Sequence, residues 1–344
     1  MKKKVLVIGY FGYKTNQLDG QTLRTRSVNN LLENKYENKK LVSSFDTQSI
    51  YDSKLNVFKL IKGIIKNKNI VFIMAINGKK YILPVLYFVR LFSKKNIIVI
   101  PIGAYLTRHL EKEFIHRYML SKMRVVLSQV TLETEKFKKK WKFSNVDTLN
   151  NFRLHNYTPS FTNNRELKLV YMARIDKQKG LDVMFEIADH VEKSEIEDIK
   201  IDFYGQFDND ETKTYFEKEI ARHPSTKYKG YLMPDDIYKT LDNYDLLILP
   251  TKYIKSEGFP GTILDAYISG IPVLASNWLH ATEFVEDGIS GYIRDPYKPK
   301  EFIDVVMYLY NHKEIIPTLK QNAYKRSLQY SGDAAWKKIE KYLV

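Results

Sequence analysis

Residues 249–270 read LPTKYIKSEGFPGTILDAYISG, and this stretch decides how the second half of the chain folds. An apolar run ends at Pro250, Glu257 follows in a loop, and a helix predicted from Gly261 carries Asp265. In an open α/β sheet, such a loop lies at the carboxyl ends of the strands, where ligands bind. Amides at a helix start hold phosphate, and carboxylates accept hydrogen bonds from sugar hydroxyls. The stretch therefore predicts a site for a diphosphate and the sugars beside it.

The remaining pattern predicts two αβ series. Short apolar runs alternate with amphipathic helices, which is typical of parallel sheets covered by helices on both faces. The predicted strands are residues 4–9, 70–75, 96–102, 125–128, 167–175, 200–204, 227–231, 245–249 and 272–275. The stretch 150–166 is polar, lacks periodicity and contains Pro159, so it predicts a domain boundary. We expect an N-terminal Rossmann-like domain at 1–158, a second at 159–329, and a final helix at 330–344 that packs back on the first.

Composition limits the class of protein. The chain has no cysteine, which excludes disulfides and cysteine metal sites and fits a reducing cytoplasm. No apolar stretch reaches the roughly 20 residues of a membrane span. The longest candidate, residues 81–92, is interrupted by Arg90 and is predicted to be a core helix. The opening run after Met1 is too short for a signal peptide, so we interpret it as the first strand.

The net charge of +15 is distributed unevenly. Residues 1–160 contain 30 Lys and Arg against 10 Asp and Glu, whereas residues 161–344 contain 25 against 30. A basic half beside a mildly acidic half suggests that only the first meets a polyanion or an anionic membrane. Nucleic acid is the competing partner, and lysines that only solubilise the surface remain a further alternative.

Two more segments offer groups for an anion. Arg174 and Lys179 follow the first strand of the second series, where a guanidinium and an ammonium can converge on phosphate oxygens. Near the N-terminus, Gly20 lies where the backbone of a strand-to-helix loop can approach a phosphate closely. Asp19 beside it has an alternative role as the N-cap of the following helix. The glycine spacing does not match the dinucleotide-binding fingerprint, so nicotinamide binding is not expected.

These residues occur in an order that resembles a known family. Arg174, the Lys179–Gly180 pair and Gly205 are followed by PT at 250–251, EGFP at 257–260, LDA at 264–266, GIPV at 270–273 and EFVEDG at 283–288. The pattern is similar to the retaining glycosyltransferases of family 4, which have the GT-B fold, over about residues 165–295. The family carries a glutamate where this chain has Asp265.

The resemblance implies an α/β GT-B architecture of two facing Rossmann-like domains with a cleft between them. It also implies transfer of a hexose-type sugar, with retention, from a nucleotide-sugar to a glycan or lipid-linked acceptor. UDP is the expected nucleotide, and neither metal nor cofactor is expected. Glu257 would contact the donor sugar, Asp265 the ribose, and Arg174 and Lys179 the diphosphate. The other implied donor-binding residues are Gly20, Gly205, Gly258, Phe259, Pro260, Gly261 and Thr262.

On the acceptor side the candidates are Tyr105, Arg108 and His109. The triplet DND at 208–210 resembles a metal motif, but such clusters are usually turns, and we predict a turn. Extension of lipid-linked glycans would place the protein in the cytoplasm, at the inner face of the cell membrane, with its basic first half on anionic lipid. A basic nucleic-acid-binding protein and a GT-B nucleotide-sugar epimerase remain as alternatives.

Overall fold

The computed structural model describes residues 3–14, 19–103, 106–161, 164–252 and 258–344. The chain divides into two compact units. The first unit comprises Met1–His155 and Tyr330–Val344, and the second unit is Asn156–Gln329. The division falls inside the polar stretch 150–166.

The first unit is built on a parallel six-stranded sheet in the order β2-β1-β3-β4-β5-β6. Its strands are β1 Val5–Gly9, β2 Val42–Asp46, β3 Asn69–Met74, β4 Asn96–Pro101, β5 Val125–Ser128 and β6 Val146–Thr148. The four predicted strands are the central ones, whose residues are buried throughout. The two edge strands were not predicted, since neither carries a continuous apolar run.

The second unit has its own parallel sheet in the order β12-β11-β10-β7-β8-β9. Its strands are β7 Leu167–Met172, β8 Ile199–Tyr204, β9 Thr226–Tyr228, β10 Leu246–Leu249, β11 Val273–Ser276 and β12 Gly291–Arg294. The one strand missed by the sequence analysis, β12, is again at an edge. Two parallel sheets with intervening helices confirm the predicted α/β class.

Helices connect the strands within each unit. They are α1 Gly20–Lys35, α2 Ser49–Asp52, α3 Asn56–Lys66, α4 Ile76–Phe92, α5 Leu106–Leu110, α6 Phe114–Ser121, α7 Thr131–Trp141, α8 Leu181–Lys193, α9 Asp210–Arg222, α10 Ile237–Leu241, α11 Gly261–Ile268, α12 Ala281–Phe284, α13 Pro299–Asn311, α14 Ile316–Ser327 and α15 Gly332–Ile339. In the first unit, α1 and α15 share one apolar cluster with the sheet, while α3, α4, α6 and α7 share another. Trp336 and Ile339 bring α15 into the first cluster.

Residues 81–92 lie in α4, so the predicted helix is confirmed, but its interpretation as a core helix is wrong for one face. Ile82, Leu83 and Leu86 are buried against the sheet. Five other large apolar side chains of this segment are exposed: Tyr81, Val85, Phe88, Leu91 and Phe92. Within the described residues, no helix combines the length and apolar character needed to cross a membrane.

Candidate functional site

The topology of the second unit brings two loops to one point. Strands β7 and β10 are neighbours, but the chain leaves β7 towards β8 on one side and β10 towards β11 on the other. This is the switch point of a doubly wound sheet, where a crevice opens at the carboxyl ends of the strands. The turn with Arg174 and Lys179 follows β7, and the loop leading into α11 follows β10.

The turn after β7 is held by Asp176, which sequence reasoning did not single out. Asp176 is buried, and its Oδ1 accepts a hydrogen bond from the Gln178 amide at 2.8 Å. Its Oδ2 lies 2.9 Å from Arg174 Nη2 in an ion pair. The Arg174 side chain is nevertheless 61% exposed. Asp176 therefore orients the guanidinium while leaving most of its surface accessible to a ligand.

Tyr171, a buried residue of β7, supports the same turn from the core. Its hydroxyl donates to the Arg174 carbonyl at 3.0 Å. Burial raises the pKa of this hydroxyl well above its usual value, so the group stays protonated as a donor. The backbone of Arg174 is thus fixed by a neutral hydrogen bond inside the core.

Glycine lets the two loops at the switch point touch. Gly180 has φ +80°, and a Cβ there would lie 2.1 Å from the Pro250 carbonyl oxygen. Beside it, the Lys252 amide donates to the Gln178 carbonyl at 2.9 Å. A close approach also explains Gly205, at the end of β8, because its Cβ would lie 1.8 Å from the Ala173 carbonyl oxygen.

A salt bridge reinforces this contact between the loops. The ammonium of Lys252, which follows β10, pairs with the carboxylate of Asp182 in the first turn of α8. Lys177, in the turn after β7, pairs instead with Glu211 at 2.6 Å on the exposed start of α9. The switch point thus gathers several cations, and its acidic residues hold them in place.

The approach to α11 is fixed by two aromatic contacts. Phe259 is buried and stacks on Phe284 with ring centroids 3.8 Å apart. The indole Nε1 of Trp278 donates to the Gly258 carbonyl at 3.0 Å. Helix α11 then begins at Gly261, as predicted. A helix has no internal partners for its first amides, so the start of α11 can receive an anion.

The predicted carboxylates are only partly described. Asp265 lies on α11 and is buried, with 7% of its surface exposed. Glu257, within residues 253–257, and Tyr105, within residues 104–105, both lie outside the described residues. Their roles therefore stay predictions from the sequence.

In the first unit, Gly20 begins α1, and Asp19 is its N-cap. The Asp19 carboxylate accepts from the Thr22 amide at 2.8 Å, so the alternative role considered for this residue is the one observed. No described heavy atom lies within 4 Å of a Cβ built on Gly20. Local packing therefore does not explain a glycine here.

The acceptor-side candidates Arg108 and His109 are exposed on α5. Glu133 of α7 is almost fully buried and accepts hydrogen bonds from the Thr107 amide at 3.0 Å and from the Thr107 hydroxyl at 2.7 Å. This carboxylate anchors α5. Sequence reasoning missed it because an acidic residue in the first turn of a helix usually points to solvent.

The triplet at 208–210 forms the start of α9. Asn209 is the N-cap, and its side chain accepts from the Thr212 amide at 2.8 Å. The triplet therefore has a structural role, as predicted, but as the cap and start of a helix rather than as a turn. Among the described residues there is no group of three His, Asp or Glu side chains that could hold a metal ion.

Comparison with known proteins identifies the family. Residues 158–326, nearly the whole second unit, match the model of the glycosyl transferases group 1. The second unit belongs to the group 1 glycosyltransferases. The match favours a glycosyltransferase over the basic nucleic-acid-binding protein left open above.

Curated relatives of this chain are distant. It is 28% identical over 208 residues to a sucrose synthase of Melioribacter roseus, covering 54% of this chain and 24% of the relative. It is 24% identical over 204 residues to a poly(ribitol-phosphate) alpha-N-acetylglucosaminyltransferase of Staphylococcus aureus, covering 58% and 39%. The chain thus spans less than half the length of either relative.

Solved structures confirm the GT-B fold. The HepE protein of Anabaena, crystallised with UDP, superimposes with a TM-score of 0.75 at 15% identity and covers 98% of both chains. The same protein has been crystallised with UDP-glucose. At this identity the likeness concerns the fold alone.

Proposed function

We propose that this protein is a retaining glycosyltransferase of family 4. It transfers a hexose-type sugar from a UDP-sugar to a glycan or lipid-linked acceptor in the synthesis of cell-surface polysaccharide or glycoconjugate. The observation that carries the proposal is the contact between the Arg174–Gly180 turn and the loop before α11, sealed by the Lys252–Gln178 hydrogen bond. Cations and helix-start amides thereby share one crevice, which suits a diphosphate.

Each site residue has a proposed role in donor binding. Arg174 and Lys179 bind the diphosphate, together with the backbone amides of Phe259, Gly261 and Thr262. Pro260, which has no amide hydrogen, positions the start of the helix. Gly205 and Gly258 shape the crevice, and Gly20 is a further proposed donor-binding residue. Glu257 binds the hydroxyls of the donor sugar, and Asp265 binds those of the ribose.

The proposed chemistry is electrostatic. Negative charge grows on the leaving nucleoside diphosphate, so fixed cations and amides stabilise the transition state more than the ground state. In comparable sites, one such hydrogen-bond donor lowers the activation barrier by roughly 3–4 kcal/mol. The acceptor attacks from the face that the diphosphate leaves, and the departing phosphate oxygen takes the acceptor's proton. In this mechanism no protein nucleophile, metal ion or cofactor takes part.

The choice of donor follows the relatives. HepE has been crystallised with UDP and UDP-glucose, and the S. aureus relative is named for N-acetylglucosaminyl transfer to poly(ribitol-phosphate). These names support a UDP-hexose or UDP-N-acetylhexosamine donor and a glycan acceptor. Tyr105, Arg108 and His109 are the proposed acceptor-side residues.

We further propose that the protein works in the cytoplasm, attached peripherally to the inner face of the membrane. Residues 1–160 carry a net charge of +20, and anionic lipids attract basic surface at roughly 1 kcal/mol per residue. Such attachment would bring the enzyme to lipid-linked acceptors.

The proposal is tested by a panel of nucleotide-sugars. UDP-sugars should raise the melting temperature more than GDP- or CMP-sugars, because a ligand that binds only the folded state stabilises it. With a stabilising donor, a lipid-linked glycan fraction should acquire labelled sugar. Incubation without acceptor is the control for an epimerase, which would isomerise the donor sugar. Absence of any thermal shift across the panel would contradict the proposal.

A further inference from the structure

Helix α3 exposes a stripe of large apolar side chains. Leu60 and Ile64 are buried against the sheet. On the outer side, Phe58 is 70% exposed and Ile65 is 68% exposed, with Ile61 between them. The spacing of three and four residues puts all three on one face of the helix. Isolated exposed apolar residues are ordinary, but a continuous stripe marks a binding surface.

Helix α4 carries a second stripe of the same kind. Tyr81, Val85, Phe88 and Phe92 are exposed, and their spacing again places them along one face. Phe92, at the end of the helix, is 87% exposed.

The two helices lie in one layer of the first unit. Both contribute to the apolar cluster on one side of the sheet. Gly63 brings α3 against Leu6 of β1, and Gly78 brings α4 against Phe72 of β3. Because β1 and β3 are neighbours, the helices cover adjacent parts of the same side, and both exposed stripes lie on helix surfaces turned away from the buried residues.

The two helices themselves carry charge of one sign. From residue 53 to residue 110 the sequence has nine lysines and two arginines but no Asp or Glu. Lys59, Lys62 and Lys66 of α3 are exposed, and within the described part of the chain none of them forms a salt bridge. Long lysine stems can lie along apolar surface while their ammonium groups reach polar surroundings.

We propose that the outer surface of α3 and α4, formed by Phe58, Ile61, Ile65, Tyr81, Val85, Phe88 and Phe92 with Lys59, Lys62 and Lys66, docks on an anionic lipid bilayer. The apolar side chains enter the interfacial region, and the lysines contact headgroup phosphates. This α3–α4 face specifies how the proposed membrane attachment occurs; it rests on that attachment and not on the transfer reaction.

The charges favour a bilayer over a protein partner. A second copy packed on this face in a two-fold dimer would place lysine against lysine, and the segment offers no carboxylate to offset the repulsion. Lysine is also depleted in the cores of protein interfaces. An anionic bilayer matches both the apolar stripes and the positive charge.

The test is co-sedimentation of the full chain with vesicles of phosphatidylcholine alone or mixed with phosphatidylglycerol. One variant removes charge (K59Q, K62Q and K66Q), and another removes apolar surface (F58S, I65S and F88S). All six side chains are exposed, so the fold should persist. The matched control K39Q, K40Q and K337Q loses the same charge from exposed positions outside this face.

The charge variant should bind mixed vesicles roughly tenfold to hundredfold more weakly, since each basic residue near the surface contributes about fivefold. The apolar variant should bind more weakly at low and high salt, because its loss is not electrostatic. The control should change binding less than either.

Equal binding by the apolar variant and the unaltered protein would overturn the proposal. So would a stable dimer, measured by sedimentation velocity, that the same substitutions dissociate. Stabilisation by UDP is measured in parallel. If UDP does not stabilise the unaltered protein but vesicle binding behaves as expected, the result counts against the proposed function alone. If UDP stabilises the protein but the vesicle results contradict docking, the result counts against docking alone.

Discussion

The Lys252 amide donates a hydrogen bond to the Gln178 carbonyl at 2.9 Å, joining the loop after β10 to the turn after β7. Neither residue is proposed to bind the donor directly. The bond matters because it couples two segments separated by about 70 residues, one with Arg174 and Lys179 and the other leading to α11. The proposed diphosphate site depends on their alignment, and electrostatic catalysis needs groups that are held in place beforehand.

Arg174→Ala should lower kcat for sugar transfer roughly 100- to 1,000-fold while leaving the fold intact, since the lost contact stabilises the leaving diphosphate. Steady-state kinetics with the donor found by screening measures this. Lys177→Ala is the matched control: it lies in the same turn, but its ammonium pairs with Glu211 at 2.6 Å. An equal loss of kcat in the two variants would contradict a specific role for Arg174.

Gly180→Ala should reduce the free energy of unfolding by roughly 2–4 kcal/mol. The added Cβ would meet the Pro250 carbonyl at 2.1 Å and would also require a left-handed backbone. Gly230→Ala has the same φ of +80° with no described heavy atom near the new Cβ, so it should cost only roughly 1–2 kcal/mol. Urea denaturation of both variants measures the difference. If Gly230→Ala costs as much, the loop contact is not the cause.

Trp278→Phe should raise KM for the donor several-fold and lower stability by about 1 kcal/mol. Phenylalanine keeps the ring but cannot donate to the Gly258 carbonyl, so the approach to α11 loosens. Trp141→Phe, in the first unit, is the control for a general effect of losing an indole. An unchanged KM in Trp278→Phe would show that this hydrogen bond does not position the donor loop.

Asp147→Asn should destabilise the first unit at neutral pH, and the difference should disappear once the pH falls below the lowered pKa of Asp147. Burial alone would raise the pKa of Asp147, but hydrogen bonds from Lys341, the Thr148 amide and Tyr342 lower it below 3.8. A carboxyl group with a lowered pKa in the folded state stabilises above its unfolded pKa and loses that contribution as the pH falls through the folded value. For this partly exposed group we expect less than about 1 kcal/mol.

Thermal melts of both proteins from pH 7 to pH 2 measure the Asp147 effect. The two melting temperatures should converge at the acid end. A constant difference across that range would mean that the carboxylate charge is not responsible.

The sequence predicted the parts of the fold that depend on local pattern. Central strands such as β3 and β4 are continuous apolar runs because helices cover both faces of the sheet. Three of the four edge strands, β2, β6 and β12, escaped prediction. The residues of β2, VSSFD, are partly exposed and alternate too weakly to distinguish a strand from a loop. The helix at α4 was predicted, but its exposed apolar face was not, since composition does not reveal which apolar side meets the core.

For the candidate site, the order of strands and loops along the chain predicted which residues share a sheet edge, but it did not predict their side-chain contacts. Arg174 and Asp265 could be assigned to one sheet edge because they follow strands of a parallel sheet. The hydrogen bond from Trp278 to Gly258 joins two loops through the tertiary fold, and no local pattern encodes it. The same holds for the Glu133 carboxylate that anchors α5.

The central claim is that the crevice between β7 and β10 binds a nucleoside diphosphate. A crystal structure of the full chain with UDP tests it most directly. We predict the diphosphate against the first amides of α11, with Arg174 and Lys179 on its oxygens and the ribose hydroxyls on Asp265. UDP bound elsewhere, or a crevice left empty at a saturating UDP concentration, would contradict the account.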